Sequence, residues 1–165
     1  MEKKMEDVII EVLAGDAQKN ALEFASYLRE NEFLFERGKG YWEDKFYWMI
    51  KLRDEYVCFV LINGYGSVGN TTEPEGWIIW FDNSGPNWFE DFPLDDRMKE
   101  IAWKNVDVCG NCGSCGSPGG TRKTIFGKEF DNVCITAIRF DNPDAEEVEC
   151  AKKMVEIRKN GVWVE

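Results

Sequence analysis

Three short runs of aromatic and β-branched residues constrain this chain more than anything else in it: Phe46–Leu52, Tyr56–Ile62 and Trp77–Phe81. Each has the length and composition of a strand. Apolar residues run through them almost without a polar break, which suits burial on both faces and puts all three in the middle of a sheet. Arg53-Asp54-Glu55 is a short polar interruption, so the first two runs form an antiparallel hairpin. Alternation sends Trp48 and Ile50 to one face of the sheet and Tyr47 and Met49 to the other.

Helices account for much of the rest. Residues 5–14 form a short helical segment or an edge strand. Asp16 is a candidate cap for a helix reaching Asn31, whose Ala21, Phe24, Ala25 and Leu28 recur at helical spacing. A second helix starts at Leu94 or Asp95 and runs to about Lys104, with Met98, Ile101 and Ala102 inward. Val133–Phe140 reads as another strand. The last helix has Asn142 as its cap and Pro143 at its first position, and Asp144, Glu146 and Glu147 suit the positive end of its dipole. Val148, Ala151 and Val155 line its apolar stripe, widened by Cys150, Met154 and Ile157, and Lys159 and Gly161 are its stop signals. The expectation is a single α+β domain over residues 1–165. A mainly antiparallel sheet of four to five strands is flanked by helices at 16–31, 95–104 and 143–160, with a Cys-rich loop inside 105–134.

The charge balance narrows the partners. A net charge of −11 repels phosphate backbones and anionic lipid, so neither nucleic acid nor a membrane surface is an expected partner. The one basic cluster, Arg122, Lys123 and Lys128, sits beside the cysteines and is read as offsetting the charge of a thiolate–metal centre. No histidine occurs, which excludes His-dependent triads and His-ligated zinc. The N-terminal residues lack the apolar core of a signal peptide, and no stretch approaches the ~20 apolar residues of a membrane span. A cytoplasmic location is the expectation, and there structural disulfides are rare.

Six cysteines in that setting read as ligands, redox thiols or small core residues. Cys109, Cys112 and Cys115 repeat at a two-residue spacing through glycine-rich backbone, and 18 residues separate Cys115 from Cys134. Two intervening residues let neighbouring sulfurs reach one ion from a tight turn, and glycine permits the backbone angles. Four thiolates from Cys109, Cys112, Cys115 and Cys134 close a tetrahedral zinc site. Cys58 and Cys150, on an apolar strand and an amphipathic helix, rank below Cys134 as the fourth ligand. Alternatives stay open. An iron–sulfur cluster uses similar spacing, although the proline that follows the last cysteine of the bacterial ferredoxin run is missing. A thiol–disulfide pair at Cys109 and Cys112 lacks a thioredoxin-like context. A glycine-rich loop with free thiols is the bland reading.

Aromatic residues form a second constellation. Trp42 and Trp48 precede Trp80, and Trp88 and Phe89 follow on a loop. Together these five are candidates to line a pocket for a flat or cationic organic ligand, against the plain alternative of a tryptophan-heavy core. Gly64, Gly66 and Gly69 match the dinucleotide-binding spacing, but the residues that follow do not open a helix. The tripeptide Phe-Asp-Asn occurs at 81–83, 130–132 and 140–142 with unequal spacing, as expected of turn-forming residues at strand ends.

The tryptophan-rich strands, the Cys109-Gly-Asn-Cys-Gly run, the Thr124–Cys134 stretch and the closing Arg139-Phe-Asp-Asn-Pro-Asp segment together resemble a family of small uncharacterised bacterial proteins. The resemblance covers most of the chain and implies that the cysteines and the Gly127–Asn132 stretch belong to one unit. It brings no catalytic residue. The expected function is a non-catalytic zinc-binding domain, with a small organic ligand in the aromatic pocket. An iron–sulfur or thiol-redox protein and an effector-sensing or protein-interaction module are the alternatives.

Overall fold

A computed structural model describes residues 4–38, 46–62, 76–81, 94–109 and 120–162. Among them are four helices: α1 (Met5–Val12), α2 (Gly15–Glu30), α3 (Asp96–Lys104) and α4 (Ala145–Val162). Seven strands join them: β1 (Leu34–Arg37), β2 (Phe46–Leu52), β3 (Glu55–Ile62), β4 (Trp77–Phe81), β5 (Val106–Val108), β6 (Thr121–Ile125) and β7 (Lys128–Asp141). The α+β class is as expected.

The strands build one antiparallel sheet of order β1-β2-β3-β4-β7-β5, with β6 paired to β7. Seven strands correct the expected four to five. The three apolar runs do lie inside the sheet. β1, β5 and β6 escaped the sequence reading because they are short and mostly half-exposed or exposed, so pairing with a neighbour organises them more than their own patterning does.

Local chemistry explains the turns. Arg53 and Asp54 join β2 to β3 with φ of 52° and 67°, a two-residue loop whose twist matches that of the strands. Phe126 and Gly127 do the same for β6 and β7, at 49° and 88°. Two expected caps are corrected. Asp16 lies inside α2, whose cap is Ala14 with no side-chain bond. At α4 the cap is Asp144, which exchanges bonds with Glu147: the Glu147 N–H donates to Asp144 Oδ1 at 2.8 Å, and the Asp144 N–H donates to Glu147 Oε1 at 3.3 Å. Asn142 instead turns the chain out of β7 with φ of 50°, its N–H donating to the Trp77 carbonyl at 2.7 Å. α4 also continues past the expected stop at Gly161 to Val162. At α3 the Asp95 carboxylate accepts from the Met98 N–H, as a capping aspartate should.

All four helices pack on one face of the sheet. Phe24, Ala25 and Leu28 of α2 meet Trp48, Ile50, Val60, Trp77, Ile79 and Phe140 in a single core with Val148, Ala151 and Met154 of α4. Burying the larger of these aliphatic and phenylalanine side chains contributes roughly 1.5–3 kcal/mol each. The opposite face holds Tyr47, Phe59, Leu61, Ile78 and Trp80, a separate buried cluster with no helical member among the described residues.

Candidate metal centre

The cysteine segment is anchored on β7. Val133 is paired with Val108 of β5 and with Thr121 of β6. A strand residue has two edges, so β5 and β6 flank β7 from opposite sides at this level. Cys109 ends the β5 side and Gly120 opens the β6 side, and both are held by Asn132. The Cys109 N–H donates to the Asn132 carbonyl at 2.8 Å. The Asn132 Nδ2 donates to the Cys109 carbonyl at 3.1 Å, and the Gly120 N–H donates to Asn132 Oδ1 at 3.0 Å. One side chain thus ties both residues that bound positions 110–119.

Asn132 takes φ of 58° inside β7. Asparagine enters the left-handed region more readily than other side-chain-bearing residues. Gly120 is fitted flush against it: a Cβ there would lie 2.4 Å from the Asn132 carbonyl carbon, 2.5 Å from its oxygen and 2.7 Å from the Val133 oxygen.

Four of the cysteines fall within the described residues and divide into two kinds. Cys58 and Cys150 are fully buried in the main core. The Cys150 thiol donates to the Met98 carbonyl at 3.4 Å, and burial, with Asp95 and Glu147 nearby, pushes its pKa up to about 12. It is neutral and poorly reactive. Cys109 and Cys134 are half-buried. The amide of Cys109 is bonded to a residue two positions before Cys134, so both belong to the same corner of the sheet. Cys112 and Cys115 lie outside the described residues. No group of three or more His, Cys, Asp or Glu able to hold an ion forms among the described residues.

Two residues of the basic cluster have partners nearby. Arg122 reaches Glu129 at 2.6 Å and Asp131 at 3.3 Å across the β6–β7 ladder. The Lys128 ammonium sits 5.4 Å from the ring centres of both Trp103 and Phe130. These contacts, exposed as they are, account for Arg122 and Lys128 without a thiolate centre.

The two aromatic candidates among the described residues, Trp48 and Trp80, lie on opposite faces of the sheet. Trp48 is on the helix-covered face, with the Arg37 guanidinium 4.9 Å from its ring. Trp80 is on the opposite face, where its ring stacks on Tyr47 at 5.4 Å and on Phe59 at 5.3 Å. Trp42, Trp88 and Phe89 lie outside the described residues. A cavity of about 340 Å³ opens elsewhere, between the starts of α2 and α4, lined by Asp16, Lys19, Asn20, Asn142, Pro143 and Asp144. It has no aromatic wall.

Sequence reasoning missed Asn132 and Gly120. The signal was the Phe-Asp-Asn tripeptide: its asparagine takes a left-handed conformation at both 132 and 142. Comparison with protein-family models, curated proteins and solved structures finds no match.

Proposed function

We propose that this chain is a non-catalytic metal-binding domain that holds one zinc ion through the thiolates of Cys109, Cys112, Cys115 and Cys134. The ion ties the segment between β5 and β6 to β7 and is structural. Four thiolates suit zinc because the closed tetrahedral shell leaves no open position for a substrate. The observation that carries the reading is the bond between the Cys109 amide and Asn132, which joins the first cysteine of the run to the strand bearing the distant fourth. The half-buried state of Cys109 and Cys134, against the full burial of Cys58 and Cys150, favours the same choice of ligands. Such a centre needs thiols kept reduced, as in the cytosol.

Elemental analysis of the purified chain tests this, together with its absorption spectrum. One zinc per chain that survives dialysis is the expected result. Cys112→Ser and Cys134→Ser should each release the metal, while Cys150→Ser should retain it. Visible absorbance with bound iron would replace zinc by an iron–sulfur cluster. Folded, metal-free protein whose four thiols all react would overturn metal binding altogether.

A further inference from the structure

The starts of α2 and α4 line one cavity of about 340 Å³. That is at the small end of the roughly 300–1,000 Å³ range of ligand pockets. Its one buried polar lining residue is Asn20, 9 % exposed. The Asn20 Nδ2 donates to the Pro143 carbonyl at 3.4 Å, longer than the roughly 2.7–3.2 Å of a well-made bond. No donor among the described residues reaches Asn20 Oδ1. Trp77 Nε1 is the only fully buried side-chain nitrogen or oxygen among them without a partner, so the unpaired Asn20 Oδ1 opens to the cavity that Asn20 lines. Polar atoms of buried side chains are ordinarily hydrogen-bonded, and this one is presented to a ligand-sized space.

The rim carries both signs of charge. Asp16 and Lys19 are exposed on the first turns of α2, and neither has a side-chain partner among the described residues. No side chain caps α2, so its first N–H groups lack an acceptor within the helix. The Asp144 carboxylate is already bonded to the Glu147 N–H, and Ala145, the first residue of α4, lines the cavity. A lone anion here meets Asp16 and Asp144; a lone cation meets Lys19 and the positive ends of two helices. A molecule bearing both charges is matched to both. We propose that this cavity binds a small zwitterion of the free amino-acid class. Its ammonium bonds to Asn20 Oδ1 and Asp16, and its carboxylate to Lys19 and the N–H groups that begin α2 and α4. This binding is independent of the zinc reading above.

The test uses the whole chain, isotope-labelled for NMR, with L-serine as the probe. Serine should produce saturable shifts in the side-chain amide resonances of Asn20 and the backbone amide of Ala145. Ethanolamine is serine without its carboxylate, and β-hydroxypropanoate is serine without its ammonium. Each half should bind at least about tenfold more weakly than serine, the loss of one charge-assisted contact. Asp16→Asn should weaken serine without weakening β-hydroxypropanoate, and Lys19→Gln should weaken serine without weakening ethanolamine. Both positions are exposed, so these variants should fold as the wild type does. Shifts that do not saturate, or serine bound no more tightly than either half, would overturn the proposal. Serine binding that neither substitution changes would put the ligand elsewhere and overturn it too.

Discussion

Gly120→Ala asks how tightly the base of the cysteine segment is packed. The added methyl would meet three backbone atoms of β7 at 2.4, 2.5 and 2.7 Å, roughly an ångström inside ordinary contact. Backbone in the middle of a sheet has little room to retreat, so residue 120 must move away. That movement breaks the bond from its N–H to Asn132 Oδ1, now 3.0 Å. Overpacking of this kind costs about 1–3 kcal/mol and the lost hydrogen bond about 1 more. The expected loss is therefore about 2–4 kcal/mol, and for a chain of this size about 2–4 °C of melting temperature accompanies each of those. Gly127→Ala is the control. That position has open space around it and φ of 88°, so its alanine pays in backbone conformation only, about 1–2 kcal/mol. Urea unfolding of both variants in the presence of a chelator gives the comparison free of any metal, with unchanged slope as the condition for reading midpoints as stability. If Gly120→Ala proves no more damaging than Gly127→Ala, the close contact with Asn132 is not part of the folded state.

Stability should fall as the pH rises from about 9 to about 12. Unfolded Cys150 loses its proton near its ordinary value of 9.0, whereas burial, then Asp95 and Glu147, hold the folded thiol protonated up to about 12. The unfolded state therefore binds fewer protons across that window, and Cys150 contributes a slope of up to about 1.4 kcal/mol per pH unit. Tyr27 acts in the same direction, raised from 10.0 to about 12 by burial and by Glu156 and Glu149. Denaturant titrations at several alkaline pH values should show a shallower fall in Cys150→Ala than in the wild type; identical slopes would remove Cys150 as a source. Trp77→Phe should cost less than about 2 kcal/mol although the side chain is 1 % exposed, because its indole N–H has no hydrogen-bond partner among the described residues and losing a buried unpaired donor offsets lost packing by about 1–3 kcal/mol. A loss well above about 3 kcal/mol would mean that the indole is bonded to a buried water.

The parts of the fold legible in advance were those whose own residues impose them. β2, β3 and β4 are apolar enough to demand burial on both sides, and the faces of β2 follow alternation, with Trp48 and Ile50 under the helices and Tyr47 and Met49 opposite. α2 shows its buried stripe in its spacing. β5 and β6 were not legible, because Val-Asp-Val and Thr-Arg-Lys-Thr-Ile take their conformation from β7 rather than from a pattern. The α4 cap was misplaced by two residues because Asn142 and Asp144 are both good caps in isolation. Only the tertiary bond from Asn142 to Trp77 and the exchange with Glu147 distinguish them. At the candidate metal centre, the cysteine spacing was visible and the bonds of Asn132 to Cys109 and Gly120 were not. An asparagine inside a strand has no spacing rule, and its value lies in two residues brought to it from opposite edges.

The stacked rings of Tyr47, Phe59 and Trp80 come from three adjacent strands, with planes within 5–11° of parallel. Aromatic chromophores so near and so aligned share their electronic excitations. The circular dichroism of the folded protein should therefore carry a signature of their mutual orientation. A one-residue slip of β3 would carry Phe59 to the other side and erase it. The sheet thus contains its own optical gauge of strand alignment, readable without a label.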